Sequence, residues 1–328
     1  FGIKRGYNGL LRDEDDGLIP LNRRAVRGIT HLGGTILGTT NRGHPFEYPV
    51  ERPDGSVEIT DISQRVLTRF KAFGFDALIA VGGDGSLRIA QRFAELGMPV
   101  IGVPKTIDND LASTVMTFGL DTALNTAVEA IDKLHSTAES HERVMVVELM
   151  GRNCGWIALG AGLASTADAI LIPEIPFDLD RVAEKIMERQ LRGRHFAIIV
   201  VAEGAYPVGG APTHAKPRAV GGMERLGGIG EWVAAELTAR TGKESRSLVL
   251  GHIQRGGSPS AFDRELALRF GAAAIRFVEA GHFGTMVSLD PPQIVPVPLA
   301  EATATLKTVP LDSDKIATAR DLGICLGD

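Results

Sequence analysis

One feature constrains this chain more than any other. Short apolar, β-branched runs alternate with amphipathic stretches of helical period along most of its length. Strands are predicted at Ala77–Val81, Pro99–Val103, Val144–Leu149, Ala169–Ile172, Ala197–Ala202 and Leu248–Leu250. Helices are predicted at Ser86–Leu96, Asp121–Thr137, Gly155–Leu163, Leu179–Arg192, Glu231–Thr241 and Asp263–Ala280. In Asp121–Thr137 the apolar residues Ala127, Val128, Ile131 and Leu134 recur at the spacing of one helix face. Strand–helix alternation of this kind predicts parallel sheets with helices on both faces, an α/β chain. Its 328 residues suit about two domains. A 44% hydrophobic and 23% charged composition excludes a disordered chain. A net charge of −5 argues against non-specific nucleic-acid binding. No apolar run is long enough to span a membrane, so no membrane partner is expected. Cys154 and Cys325 form no CxxC pair or disulfide framework, so a cytoplasmic location is expected. Asn41–Gly55, with Pro45, Pro49 and Pro53, and the Gly- and Pro-rich Tyr206–Gly230 read as poorly structured insertions.

In parallel α/β folds ligands sit at the carboxyl ends of strands. The distinctive loops all fall there: Gly82–Ser86, Pro104–Asp110, Met150–Gly155, Glu203–Gly204 and Gly251–Pro259. Val81-Gly82-Gly83-Asp84-Gly85-Ser86 leaves a strand and opens a helix. Its glycines let backbone N–H groups approach phosphate oxygens, and Asp84 is suited to hold Mg²⁺ against a nucleotide's phosphates. A plain helix-capping turn is the competing reading, and NAD kinases and lipid kinases carry similar loops. Pro104-Lys105-Thr106-Ile107-Asp108-Asn109-Asp110 sets two carboxylates two residues apart. One can act as general base toward a hydroxyl while the other interacts with magnesium. Two solvated acids in an Asx turn would have the same composition.

The seven-residue string Pro104–Asp110 resembles a diagnostic signature of the phosphofructokinase family. The resemblance extends to Met150-Gly151-Arg152 with Cys154-Gly155, to Ala202-Glu203-Gly204, and to Gly251-His252-Ile253-Gln254-Arg255-Gly256-Gly257-Ser258-Pro259. These segments occur in the family's order and spacing. The resemblance implies two doubly wound parallel-sheet domains with the active site between them. Residues 1–119 plus 254–304 would bind the donor, and 120–253 plus 305–328 would bind fructose 6-phosphate. It implies phosphoryl transfer from ATP to the 1-hydroxyl of fructose 6-phosphate, the glycolytic step giving fructose 1,6-bisphosphate. Asp108 matches the catalytic base, Arg152 a substrate-binding and charge-stabilising arginine, and Thr106 a contact near the transferred group. Tyr7, Arg42, Gly43, Gly83, Asp84, Gly85 and Ser86 match the donor side, with Asp84 on Mg²⁺. Thr106, Ile107, Met150, Gly151 and Glu203 match the sugar side, joined by His252, Ile253, Gln254 and Arg255. In the family, the counterparts of Arg143 and Arg246 reach a neighbouring subunit's sugar phosphate, so a homo-oligomer, a dimer or tetramer, is expected.

The family's usual GGDxPGxN loop is not found in this chain, and roughly thirty residues of that pattern are expected ahead of Phe1. Donor choice rests on Gly85 and Lys105. Members using ATP tend to carry Gly at the first position, and those using pyrophosphate tend to carry Asp there and Lys at the second. Gly85 removes a steric and charge block, which favours ATP. A pyrophosphate-dependent phosphotransferase is the alternative, and a non-catalytic regulatory subunit the second alternative.

Overall fold

The computed structural model describes residues 1–11, 17–40, 43–216 and 225–328. From residue 63 the order is α1 (Ser63–Ala72), β1 (Leu78–Gly82), α2 (Asp84–Glu95), β2 (Val100–Thr106), α3 (Leu120–Ser140), β3 (Val144–Leu149), α4 (Trp156–Ala164) and β4 (Ala169–Leu171). Then follow α5 (Leu179–Leu191), β5 (Ala197–Ala202), α6 (Ile229–Thr241), β6 (Ser245–Val249), α7 (Ala261–Glu279), β7 (Thr285–Asp290) and β8 (Gln293–Pro298).

The strands form two main sheets. One runs β8-β7-β2-β1, parallel except for the antiparallel edge strand β8. The other runs β6-β3-β5-β4 and is wholly parallel. The all-apolar run of β5, Ala-Ile-Ile-Val-Val-Ala, is buried at every position because helices cover both faces. In β2 the side chains alternate: Val100 joins a cluster with Leu87 and Phe93 of α2, while Ile101 and Val103 join one with Leu266 and Phe270 of α7. Asp178 caps α5 by accepting from the Asp180 N–H at 2.9 Å, and Ser260 caps α7 by accepting from the Asp263 N–H at 3.2 Å. The Asp263 carboxylate in turn accepts from the N–H groups of Gly119 and Thr122, both at 2.8 Å, fastening α7 to the start of α3. No helix among the described residues is long and apolar enough to cross a membrane.

Two expectations need correction. Asn41–Gly55 is not wholly irregular: Tyr48–Glu51 pairs antiparallel with Val57–Thr60, and Pro49 is accommodated in an isolated two-stranded ladder. Within Tyr206–Gly230, His214–Lys216 pairs with Arg225–Leu226, and α6 already begins at Ile229. Residues 41–42 and 217–224 lie outside the described residues.

Candidate active site

Five loops at the carboxyl ends of β1, β2, β3, β5 and β6 carry the candidate residues. The first is the turn from β1 into α2. A side chain at Gly82 would put its Cβ 2.4 Å from Cβ of Ser86, so only glycine lets the strand pass so close to the helix. Asp84 occupies the first turn of α2, where the helix dipole favours an anion. Its carboxylate accepts from Arg88 Nε at 2.9 Å and 3.0 Å, an exposed pair of small energetic weight. A Cβ at Gly85 would meet nothing within 4 Å.

The second loop leaves β2 and folds back on residues 114–117. Asn109 takes a left-handed φ of 51°, and its Oδ1 accepts from the Thr117 N–H at 3.0 Å. Thr117 Oγ1 donates to the Thr106 carbonyl at 2.8 Å, and the Asp108 N–H donates to Thr106 Oγ1 at 3.1 Å. These bonds fix the backbone while leaving the carboxylates for other work. Asp108 is only 6% exposed, and its Oδ1 is buried without a hydrogen-bond partner. Asp110 Oδ1 is in the same condition. Burial raises the pKa of Asp108 and Glu203 adds to it, while Arg255, Arg152 and Lys105 oppose the rise. Asp110 is pushed up to about 6, first by burial and then by the charges of Asp108 and Asp84. The orphaned Asp110 oxygen, near enough to Asp84 to feel its charge, fits with it a divalent cation whose remaining ligands come from a bound molecule. Among the described residues, no group of three or more His, Cys, Asp or Glu forms a metal cage of its own.

The third and fourth loops meet each other. Arg152 has φ 51° and donates its backbone N–H to Glu203 Oε1 at 3.0 Å. Gly204 passes so close that a Cβ there would lie 2.0 Å from the Arg152 carbonyl. Burial raises the Glu203 carboxyl, and the bond from Arg152 works against that rise. Met150 and Gly151, which precede Arg152, are buried. The fifth loop is a 3₁₀ turn, Gly251–Arg255. His252 and Arg255 are exposed, and Ile253 is 67% exposed. Gln254, 1% exposed, donates Nε2 to the Gly251 carbonyl at 3.2 Å and anchors the turn.

The fold therefore brings Asp84, Lys105, Asp108, Asp110, Arg152, Glu203 and Arg255 within electrostatic reach of one another. Thr106 shares that loop, and Ile107 packs toward the second sheet's core. Gly83, Gly85 and Ser86 line the β1–α2 turn beside them. Arg143 and Arg246 are not part of the cluster. They lie at the amino-terminal ends of β3 and β6, which at about 3.3 Å per residue puts Arg143 roughly 20 Å and Arg246 roughly 13 Å short of the carboxyl end of β3. There Arg143 Nε donates to Glu244 at 2.8 Å, and Arg246 also pairs with Glu244. Tyr7 packs on Phe93 at 4.9 Å between ring centroids, and its buried hydroxyl has no partner. Gly43 has φ 106° and sits against Asn8, and Arg42 lies outside the described residues.

Sequence reasoning passed over the groups that hold these loops in place. Glu174 accepts from the N–H groups of Gly155 at 3.0 Å and Val309 at 2.9 Å. Glu148, buried in β3, accepts from the N–H groups of Gly228 at 3.1 Å and Gly230 at 2.8 Å. The one available signal for Glu148 was a lone acid inside an otherwise apolar strand.

The phosphofructokinase family model matches residues 1–278. An ATP-dependent 6-phosphofructokinase of Chloroflexus aurantiacus is 53% identical over 327 residues, covering 100% of this chain and 88% of the relative. A pyrophosphate–fructose 6-phosphate 1-phosphotransferase of Amycolatopsis methanolica is 50% identical over 310 residues, covering 94% of this chain and 86% of the relative. The crystal structure of Pichia pastoris phosphofructokinase in the T-state superposes with a TM-score of 0.75 at 30% identity, over 98% of this chain and 33% of that longer one.

Proposed function

The chain belongs to the phosphofructokinase family, and from that premise we propose that it moves the γ-phosphoryl group of ATP to the 1-hydroxyl of fructose 6-phosphate, giving fructose 1,6-bisphosphate. The observation that carries the reading is the buried Asp108 carboxylate, its Oδ1 without a hydrogen-bond partner, within electrostatic reach of Arg255, Glu203 and Arg152. In the transfer, the sugar oxygen bonds to the γ-phosphorus as the bond to the β-phosphate oxygen breaks. The hydroxyl proton passes to Asp108. Such transfers depend on positioning and charge stabilisation, so a modest base suffices. Burial raises the Asp108 pKa, which improves it as a proton acceptor.

Arg152 supplies positive charge to the group in flight, and Thr106 lies beside it. Glu203, oriented by the Arg152 N–H, accepts from sugar hydroxyls. His252 and Arg255 project from the 3₁₀ turn toward the dianionic 6-phosphate, and guanidinium suits phosphate by forked geometry. Arg143 and Arg246 serve a neighbouring subunit's site in a homodimer or homotetramer, a role supported by their position at the ends of β3 and β6 opposite the site loops. Mg²⁺ fits Asp84 and the orphaned oxygen of Asp110, which leaves Asp108 as the base, and when bound it would neutralise charge on the donor phosphates. Tyr7, Arg42 and Gly43 are assigned to the donor side. Residues 1–119 with 254–304 form the donor-binding unit, and 120–253 with 305–328 the sugar-phosphate unit. The free cysteines Cys154 and Cys325 suit a reducing cytoplasm.

Open space at Gly85 favours a nucleotide donor. Pyrophosphate is the second reading, favoured by Lys105 standing close enough to Asp108 and Arg255 to feel both charges. Steady-state turnover of the full-length protein with fructose 6-phosphate, Mg²⁺ and each donor at equal concentration separates the two. ATP is expected to give at least tenfold the rate of pyrophosphate, about 1.4 kcal/mol in transition-state terms. Faster turnover with pyrophosphate would overturn the donor assignment.

A further inference from the structure

Lys307 lies outside every motif read from the sequence, yet it joins segments that carry the reacting groups. Its backbone N–H donates to the Asp110 carbonyl at 2.9 Å, next to the Leu111–Leu306 bridge. Its ammonium donates to the Thr114 and Val115 carbonyls, each at 2.7 Å. Its own carbonyl accepts from Trp156 Nε1 at 2.9 Å and from Cys154 Sγ at 3.4 Å. The ammonium also stands 5.1 Å from the centre of the Trp156 ring. One residue thus holds the loop of Asp108 and Asp110 from one side and the loop of Arg152 from the other. Thr114 carries the tie further, because the Leu289 N–H of β7 donates to its hydroxyl at 3.0 Å.

From this juxtaposition we propose that Lys307 is a positioning residue for phosphoryl transfer, setting the separation between the Asp108–Asp110 carboxylates and Arg152. The proposal rests on the phosphotransferase reading above. Glu174 also ties Gly155 to the C-terminal segment, through Val309, two residues beyond Lys307. Burial lowers the Lys307 pKa to about 8, and Lys315 contributes, while the Asp110 charge works against the fall. Base and arginine need their spacing held closely in the transition state, where a displacement of about 1 Å can lower the rate by about 10²-fold.

Lys307→Met keeps the aliphatic stem and removes the ammonium. The expected result is a kcat reduced by about 10- to 100-fold, with KM for both substrates within about threefold of wild type. Lys307→Arg retains charge and donors and is expected to recover most of that loss. Hydrogen exchange of the full-length protein supplies a readout independent of activity. In Lys307→Met, exchange should quicken in residues 106–116 and also in 150–157, with α7 unchanged. Wild-type kcat in Lys307→Met, a kcat loss matched by an equal rise in KM, or no change of exchange in 150–157 would each overturn the proposal. A wild-type protein that fails to phosphorylate fructose 6-phosphate, with exchange altered as described, would instead reject the phosphotransferase reading and leave the coupling standing.

Discussion

Gly85→Asp is the substitution that most sharply separates fold from donor choice. Gly85 sits in the first turn of α2, and a Cβ there would meet nothing within 4 Å. Folding therefore tolerates a side chain. Glycine inside a helix costs about 0.5–1 kcal/mol relative to alanine. A carboxylate near a helix N-terminus gains about 0.3–1 kcal/mol. Repulsion from Asp84 next door offsets part of this, so stability is expected to change by less than about 1 kcal/mol. The donor sees a different balance. A new negative charge about 4 Å from a phosphate costs about 4 kcal/mol per unit-charge pair at an effective dielectric of about 20. That corresponds to about a 10³-fold loss in kcat/KM for ATP. Gly85→Asn has the same shape without the charge and should lose at least tenfold less. The assay is steady-state kinetics with varied ATP at saturating fructose 6-phosphate, with thermal unfolding run on the same preparations. A Tm lowered by more than about 5 °C would refute the claim of open space. Loss of ATP turnover by less than tenfold, or equal losses in the Asp and Asn variants, would refute the electrostatic argument.

Other outcomes follow from the same geometry. The Asp110 carboxyl titrates near 6 in the folded chain against an ordinary 3.8, so it binds its proton more tightly when folded. Its contribution to stability is full below pH 3.8 and is lost as pH rises through about 6, by up to ~3 kcal/mol. Asp110→Asn should thus match wild type in urea unfolding at pH 4 and exceed it at pH 8, in the absence of magnesium and nucleotide; a stability gap independent of pH would contradict this. Arg246→Ala should raise KM for fructose 6-phosphate by about 10- to 100-fold, the value of a charge-assisted bond of about 1.5–3 kcal/mol. Mixing Arg246→Ala with Asp108→Asn subunits should then alter the recovered activity in proportion to mixed oligomers, whereas sites contained within one chain would show no mixing effect.

Much of this fold was legible because buried parallel strands announce themselves. Ala197–Ala202 is a continuous apolar run and Val144–Leu149 is apolar but for Glu148, and both form strands over the expected residues. Edge strands conceal themselves for the opposite reason. Ser245, Arg246 and Ser247 belong to β6, which pairs on one side only, so its polar start hid all but the end of the strand. The hairpin of β7 and β8 went unread because Pro296 and Pro298 lie on an outer strand, where a missing N–H is tolerated. Helix α1 was likewise missed, although Val66, Leu67 and Phe70 face the core. At the site, glycine-rich and carboxylate loops carry local patterns that can be read. Lys307 cannot be found that way, since its carbonyl and N–H do as much as its side chain, and its partners lie more than 150 residues away in sequence. Backbone contacts of that kind leave no trace in residue type.

The most direct test of the account is the identity and rate of the product. Wild-type and Asp108→Asn proteins, both full length, would be incubated with ATP, Mg²⁺ and fructose 6-phosphate and followed by phosphorus NMR. The account predicts a new sugar phosphate at carbon 1 in the wild type, appearing about 10²–10⁴-fold more slowly in Asp108→Asn at unchanged fold. No carbon-1 phosphate from the wild type, or undiminished turnover in Asp108→Asn, would contradict it.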